Sequence, residues 1–180
     1  MINKLLRAIS RVFFHLSRFM LSFLEAVAPR LFMVFYTRLL KLYGLKFNGK
    51  PRYIATKVKF DNFDKVELGE RAVISQNVIF LTHDYSFTTG LISIGKCPPT
   101  DIAFVRPIRV GNNVFIGMSA ILLPGTQIGN DVIIGAGSIV RGIIPSDSIV
   151  MGNPGKIIGK LSEKAALWEK KMNDIEMSVE

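Results

Sequence analysis

From Val110 the chain repeats in sixes: VGNNVF, IGMSAI, LLPGTQ, IGNDVI, IGAGSI. The first position is aliphatic in every unit, at Val110, Ile116, Leu122, Ile128 and Ile134, with Val140 next in phase. The fifth is small or β-branched, at Val114, Ala120, Thr126, Val132 and Ser138. The same phase occurs upstream in LGERAV (68–73) and ISQNVI (74–79), with Phe80 following. A period of six is neither the 3.6 of a helix nor the 2 of a plain strand; it describes a short strand and a turn, repeated. Three units close a triangular coil, and coils stack about 4.8 Å apart through backbone hydrogen bonds. First-position aliphatics then point into the prism and pile on their copies, while small fifth-position residues fit its narrow interior. Glycine, often second, is expected to relieve the corners. Each coil buries its core only against its neighbours, so both ends need caps.

Counting coils locates an excursion. Residues 84–107, DYSFTTGLISIGKCPPTDIAFVRP, fit no hexad and carry Pro98, Pro99 and Pro107. Phe80 to Val110 spans 30 positions, read as one coil of 18 plus 12 extra residues. A loop therefore leaves the prism directly after His83, and long excursions from rigid scaffolds are commonly functional. His83 and His15 are the chain's two histidines.

Before the repeats lies a different kind of sequence. Leu5, Leu6, Ile9, Val12, Phe13, Leu16, Phe19, Met20, Phe23, Leu24 and Val27 recur at helical spacing, with Lys4, Arg7, Arg11, Arg18 and Ser22 on the other side. Pro29 breaks this helix and opens a second, LFMVFYTRLLKLY, apolar nearly all round and ending near Gly44. Arg11, Arg18, Glu25, Arg30 and Arg38 interrupt every stretch long enough to span a bilayer, and no signal-peptide cleavage pattern follows. Two readings remain: an interfacial anchor on an anionic leaflet, or a helical cap on the prism or on neighbouring subunits. Charge favours the anchor. Residues 1–60 hold twelve Lys/Arg against one acid, Glu25, whereas residues 61–180 hold eleven against thirteen. The basic residues are interleaved with large apolar ones, and no nucleic-acid recognition signature accompanies them. One cysteine, Cys97, excludes an intrachain disulfide framework and a thiolate metal cluster within the chain. The tail, SEKAALWEKKMNDIEMS (162–178), reads as an amphipathic helix with Ser162 as N-cap, docked by Leu161, Trp168, Met172 and Ile175. The expected division is a basic helical segment at 1–50, a prism at 51–160 with its insertion at 84–107, and a C-terminal helix at 161–180.

FIGMSAILLPGTQIGNDVIIGAGSIV followed by IPSDSIVMGNPGKIIGKL resembles the C-terminal half of hexapeptide-repeat O-acetyltransferases, over roughly residues 62–160. The likeness is to the sugar acetyltransferases of the colanic acid and nodulation-factor type, with the maltose enzymes more distant, and His-Asp-Tyr-Ser at 83–86 is similar to the segment carrying the catalytic histidine in the colanic acid type. The resemblance implies a mainly β fold, a left-handed parallel β-helix with helices at both termini, assembled as a homotrimer with acetyl-CoA in the groove between adjacent prisms and no metal. It implies His83 as general base toward a saccharide hydroxyl, with Asp84 a candidate to orient the ring. For the cofactor it implies Gly117 and Met118 beside the pantetheine arm, Ala136 as a contact to the same arm, Arg141 and Gly142 near the phosphates, and Lys156 at the nucleotide phosphates. Gly142 departs from the usual lysine and Phe115 from a common tryptophan. His15 is expected in packing or an interface. The expected whole is a cytoplasmic enzyme on the inner face of the membrane, held through residues 1–45 and acting on a saccharide or lipid-linked saccharide in surface glycan synthesis. Alternatives are an N-acyltransferase of a nucleotide amino sugar, an antibiotic acetyltransferase, and a non-catalytic scaffold of the same coils. A γ-class carbonic anhydrase would need three zinc-binding histidines, and the repeat region holds one.

Overall fold

The computed structural model describes residues 2–176; the side chains of residues 2–8, Arg11, Asn173, Ile175 and Glu176 lie outside the described residues, and with them the expected roles of Lys4, Leu5, Leu6, Arg7, Arg11 and Ile175. Two helices come first, α1 (Ile2–Val27) and α2 (Pro29–Leu42), joined at Ala28 with Pro29 opening the second. Five coils of short parallel strands follow. The first coil is β1 (Lys46–Asn48), β2 (Tyr53–Ile54) and β3 (Lys59–Phe60), and the second is β4 (Val66–Gly69), β5 (Val73–Ile74) and β6 (Ile79–Phe80). A hairpin-like pair, β7 (His83–Asp84) with β8 (Phe104–Val105), encloses a helix, α3 (Ser86–Ser93). The third coil is β9 (Ile108–Val110), β10 (Val114–Ile116) and β11 (Ile121–Leu122); the fourth is β12 (Gln127–Ile128), β13 (Val132–Ile134) and β14 (Ile139–Val140). The fifth is partial: β15 (Ile143–Ile144), β16 (Ser148–Met151) and a returning β17 (Lys156–Gly159), before α4 (Leu161–Glu176).

The strands stack into three faces. One runs β1-β4-β9-β12-β15, the second β2-β5-β10-β13-β16 with β17 antiparallel at its edge, and the third β3-β6-β11-β14. Every expected first-position residue from Leu68 to Val140 is buried, and so is every fifth-position residue from Ala72 to Ser138. Each fully buried aliphatic of this kind contributes about 1.5–3 kcal/mol. Buried hydroxyls in the same columns are paired: Thr126 Oγ1 donates to the carbonyl of Leu123 at 2.7 Å, and Ser138 Oγ accepts the Gly152 N–H at 3.1 Å.

The turns correct the expectation about glycine. The left-handed backbone sits at the fourth position, at Arg71, Asn77, Asn113, Ser119, Gly125, Asp131 and Gly137. The second-position glycines answer a different constraint. A Cβ on Gly111 would lie 2.5 Å from the Gly129 carbonyl oxygen, and one on Gly69 would lie 2.3 Å from that of Gly111. Glycine is required there because the next coil's backbone already occupies the space.

Register corrects the coil count. Leu68 pairs with Val110 and Phe80 with Leu122, each 42 positions on, whereas Val110 pairs with Ile128, 18 on. The insertion is therefore 24 residues, twice the expected 12, and no coil is hidden inside it. The extra residues form α3 and the β7–β8 pair instead. The prism also begins earlier than expected. Phe47 pairs with Leu68, 21 on, and Phe60 with Phe80, 20 on, so a full coil precedes the recognisable hexads with its period stretched.

The two ends close differently. At the first, Phe32, Tyr36 and Leu40 of α2 are fully buried, and Met33 Sδ accepts the Ile54 N–H at 3.3 Å, so α2 is the cap. At the other, the turn Gly152–Gly155 folds back on the last coil, the Gly155 N–H donating to the Ile139 carbonyl at 2.8 Å. Helix α4 starts at Leu161 beside the second face, and Ser162 is not its N-cap. The Asp147 carboxylate takes that role from the prism, accepting from Ser162 N and Oγ at 2.7 Å each, and these bonds lower the Asp147 pKa. Leu167, Trp168 and Met172 remain exposed in the single chain.

Helix α1 turns its apolar stripe outward. Ile9, Val12, Phe13, Leu16, Met20, Phe23 and Val27 are exposed, while Phe14, Leu21 and Leu24 meet the core. Its inner side is polar as well. Glu25 accepts hydrogen bonds from Tyr53 Oη, from Thr56 N and Oγ1 at 3.3 and 2.5 Å, and from Gln76 Nε2 at 3.3 Å. Burial and the Glu25 hydrogen bond raise the Tyr53 pKa. The lone acid of the basic segment is thus its attachment to the prism.

Substituting Gly111→Ala should destabilise the fold by about 1–3 kcal/mol, because the displaced group is backbone and cannot turn aside. Gly90→Ala, where nothing lies within 4 Å of the added methyl, is the matched control. Thermal unfolding of both variants checks this.

Candidate active site

The insertion leaves the prism at the corner after the third face, and His83 is its first residue. Thr82 is fully buried; its backbone N–H donates to Asp61 Oδ2 at 3.1 Å and its Oγ1 accepts from Asn62 Nδ2 at 3.0 Å. On the return strand, Arg106 N donates to the Thr82 carbonyl at 2.9 Å. These bonds fix the backbone on which the imidazole stands. The ring meets Tyr85 edge-on, with centroids 5.4 Å apart.

His83 Nδ1 lies 3.0 Å from Asp61 Oδ2, with the His83 and Asp61 side chains 36% and 23% exposed. The carboxylate accepts a proton-bearing Nδ1, which leaves Nε2 with its lone pair free to take a proton. The same Asp61 oxygen holds the Thr82 N–H, so the carboxylate is itself oriented.

This corrects the role expected of Asp84. The carboxylate on the His83 ring belongs to Asp61, one coil below. Asp84 Oδ1 accepts the Ser86 N–H at 2.8 Å at the start of α3, and Oδ2 faces Arg141 Nη2 at 3.9 Å. The hydrogen bonds from Ser86 lower the Asp84 pKa, with smaller contributions from Arg141 and His83. Asp84 holds the insertion and reaches toward Arg141, and it does not orient the imidazole. His15, expected in packing or an interface, is exposed in the single chain, with Nδ1 3.3 Å from Arg18 Nη2.

The cofactor candidates fall at two corners. Gly117, Met118 and Ala136 lie where the chain turns out of the second face, in stacked coils: Gly137 N donates to the Met118 carbonyl at 2.8 Å, and a Cβ on Gly117 would lie 2.5 Å from Ala136 N. Lys156 follows the Gly152–Gly155 turn stacked above them, across from Met151. Arg141 and Gly142 lie at the next corner, after β14, on the same edge of the prism as His83. The third face separates the two sets. Among the described residues no cluster of three or more His, Cys, Asp or Glu side chains could hold a metal ion. No helix among them is long and apolar enough to cross a membrane.

Asp61 was invisible to the hexad count, because the first coil is stretched. Extending the phase one coil upstream to Phe60 would have found it: Phe60 pairs with Phe80, which sets Asp61 beside the segment that ends at His83.

Parallel coils of hexads, with an imidazole–carboxylate pair where a long insertion leaves one edge, define a hexapeptide-repeat β-helix. Residues 107–142 match the family model described as bacterial transferase hexapeptide (six repeats). The chain is similar to the putative lipopolysaccharide biosynthesis O-acetyl transferase WbbJ of Escherichia coli strain K12, 35% identical over 117 residues, which cover 63% of this chain and 59% of that protein. Its fold is that of a galactoside acetyltransferase solved in complex with coenzyme A, with a TM-score of 0.55 at 22% identity over 81% of this chain and 80% of that one. It is also that of a maltose O-acetyltransferase from Clostridium difficile 630, with a TM-score of 0.54 at 24% identity over 69% and 74%. These likenesses accord with the left-handed parallel β-helix that the resemblance implies. The chain spans about half the length of the curated relatives it matches.

If Asp61 sets the tautomer, nitrogen NMR of His83 in neutral-form protein should show Nδ1 protonated. In Asp61→Ala the population should move toward the Nε2-protonated form.

Proposed function

We propose that this chain is an acetyl-CoA-dependent O-acetyltransferase that modifies a saccharide hydroxyl in surface glycan assembly, with His83 as general base and Asp61 holding its ring. The observation that carries the reading is the His83–Asp61 contact on a prism whose relatives are named O-acetyltransferases.

A sugar hydroxyl is a weak nucleophile until its proton has a destination. His83 Nε2 takes that proton as the oxygen attacks the thioester carbonyl, and Asp61 stabilises the imidazolium that forms. In this reading backbone N–H groups of the prism stabilise the tetrahedral oxyanion. When the carbon–sulfur bond breaks, the thiolate of coenzyme A recovers the proton from His83. Proton transfer of this kind accounts for about 10²–10⁴-fold, and alignment of hydroxyl and thioester adds more.

The split of the cofactor candidates supports a trimeric assembly. Met118, Ala136 and Lys156 sit on one edge, and Arg141, Gly142 and His83 on another. A groove that uses both sets is completed when the edge of one copy meets the other edge of a neighbour. The exposed Leu167, Trp168 and Met172 of α4 add apolar surface for that contact.

The outward stripe of α1 supports peripheral binding to an anionic leaflet. Its exposed Phe13, Leu16 and Met20 lie beside the exposed basic Arg38 of α2, an arrangement an anionic interface accepts. Holding the enzyme on the membrane raises its encounter with a lipid-linked acceptor.

His83→Ala should lower kcat by at least about a hundredfold with coenzyme A affinity little changed, because the imidazole acts on the proton and not on the cofactor. An unchanged kcat overturns the assignment. Because α2 caps the prism, membrane contact is tested on the surface and not by deleting residues 1–45. Phe19→Ser with Phe23→Ser should release the protein from phosphatidylglycerol vesicles in a sedimentation assay while its circular dichroism is retained.

A further inference from the structure

Beneath the His83–Asp61 pair lies a cavity of about 390 Å³ between α1 and the first coil. One wall is aromatic, with Phe14, Tyr43, Phe60 and Phe63 packed as a cluster: Phe14 meets Tyr43 at 4.8 Å and Phe63 at 5.1 Å between centroids. The other wall carries three nitrogen bases, His15 and Arg18 from successive turns of α1 and Lys59 from β3. Asp61 lines the same cavity, and so joins it to the imidazole.

The cations are not spent on the fold. Among the described residues, neither Arg18 nor Lys59 has a carboxylate within 4.0 Å, and the one acid lining the cavity, Asp61, is engaged by Thr82 N–H and His83 Nδ1. The Arg18 guanidinium is held over the Phe14 ring, 5.7 Å from its centroid, with Nη2 donating to His15 Nδ1. That contact leaves His15 protonated on Nε2, a further donor. A planar fork, an ammonium and an imidazole N–H around one space match the oxygens of a phosphate, and an aromatic wall beside them matches the apolar face of a sugar ring.

From this juxtaposition we propose that the cavity binds a phosphate-bearing saccharide: Arg18, Lys59 and His15 hold the phosphate, and the aromatic cluster holds the ring next to the catalytic pair. The inference deepens the acetyltransferase reading and rests on it for the meaning of the neighbouring His83. It makes α1 part of the acceptor site, so the helix that turns an apolar stripe outward also presents its polar side to the substrate. The phosphate source is a glycosyl phosphate, whether free or the head of a lipid carrier.

The test uses the full chain with glucose 1-phosphate as probe, followed by phosphorus NMR and calorimetry, with glucose and glycerol 3-phosphate as controls. Glucose 1-phosphate should bind more tightly than either control. Arg18→Gln and Lys59→Gln should each weaken it at least tenfold. Arg52→Gln should not weaken it, since that residue lines a separate basic cavity with Arg30, Lys50 and Arg71. Lys59 is exposed, so its substitution reports binding even if a change in α1 disturbs folding. No binding to the wild type, equal weakening in all three variants, or no weakening in the first two overturns the proposal. Glycerol 3-phosphate binding as tightly as glucose 1-phosphate overturns its saccharide half. Acceptor-independent hydrolysis of acetyl-CoA by wild type against His83→Ala decides the acyl-transfer reading separately, so failure of one can be told from failure of the other.

Discussion

Backbone hydrogen bonding between successive coils is the constraint from which the rest of this molecule follows. Once Val110 stands on Ile128 and Leu122 on Val140, every interior position becomes a column, and each residue in it has its size set by the copies above and below. The glycines show how tight the stacking is, since a single methyl on Gly69 or Gly111 would meet the next coil's carbonyl. The demand is uniform along the axis and different around it: aliphatic at the first position, small at the fifth, left-handed at the fourth. Such a scaffold has no internal cleft, so any site must be built on an edge, at an end, or between copies.

The insertion uses an edge. Parallel stacking resumes after 24 extra residues with the register of all three faces intact, because the β7–β8 pair brings the chain back to the corner it left. His83 is held on one side by the buried Thr82 and on the other by the antiparallel return strand. Its partner Asp61 comes from the coil below. The imidazole is thus fixed by the same coil-to-coil contact that forms the core, although it stands on the segment that departs from the repeat.

The first end adds a layer with divided duties. Helix α2 supplies Phe32, Tyr36 and Leu40 to close the prism, whereas α1 contributes little core beyond Phe14 and is attached through Glu25. A helix attached by its polar side leaves its apolar stripe free. The same inversion brings Arg18 and His15 over the aromatic cluster and the cavity beside Asp61. Surface association and acceptor binding, as proposed above, are two faces of one helix.

The hexads from Val110 to Val140, together with Leu68, Ile74 and Phe80, were enough to determine the prism, its interior columns, and a departure of the chain beside His83. Each of those features is a local rule repeated every six residues, and a repeated rule can be read without knowing what it packs against. The helices at 2–42 were legible for the same reason, through their spacing of apolar residues. Only the tertiary structure decided that Asp61 rather than Asp84 touches the imidazole, that the insertion is 24 residues, that α1 faces its stripe outward, and that Met118 and Arg141 lie on different edges. Those facts depend on which residues stack across a coil, and the offsets of 21 and 20 in the first coil break the count of six where the site is assembled.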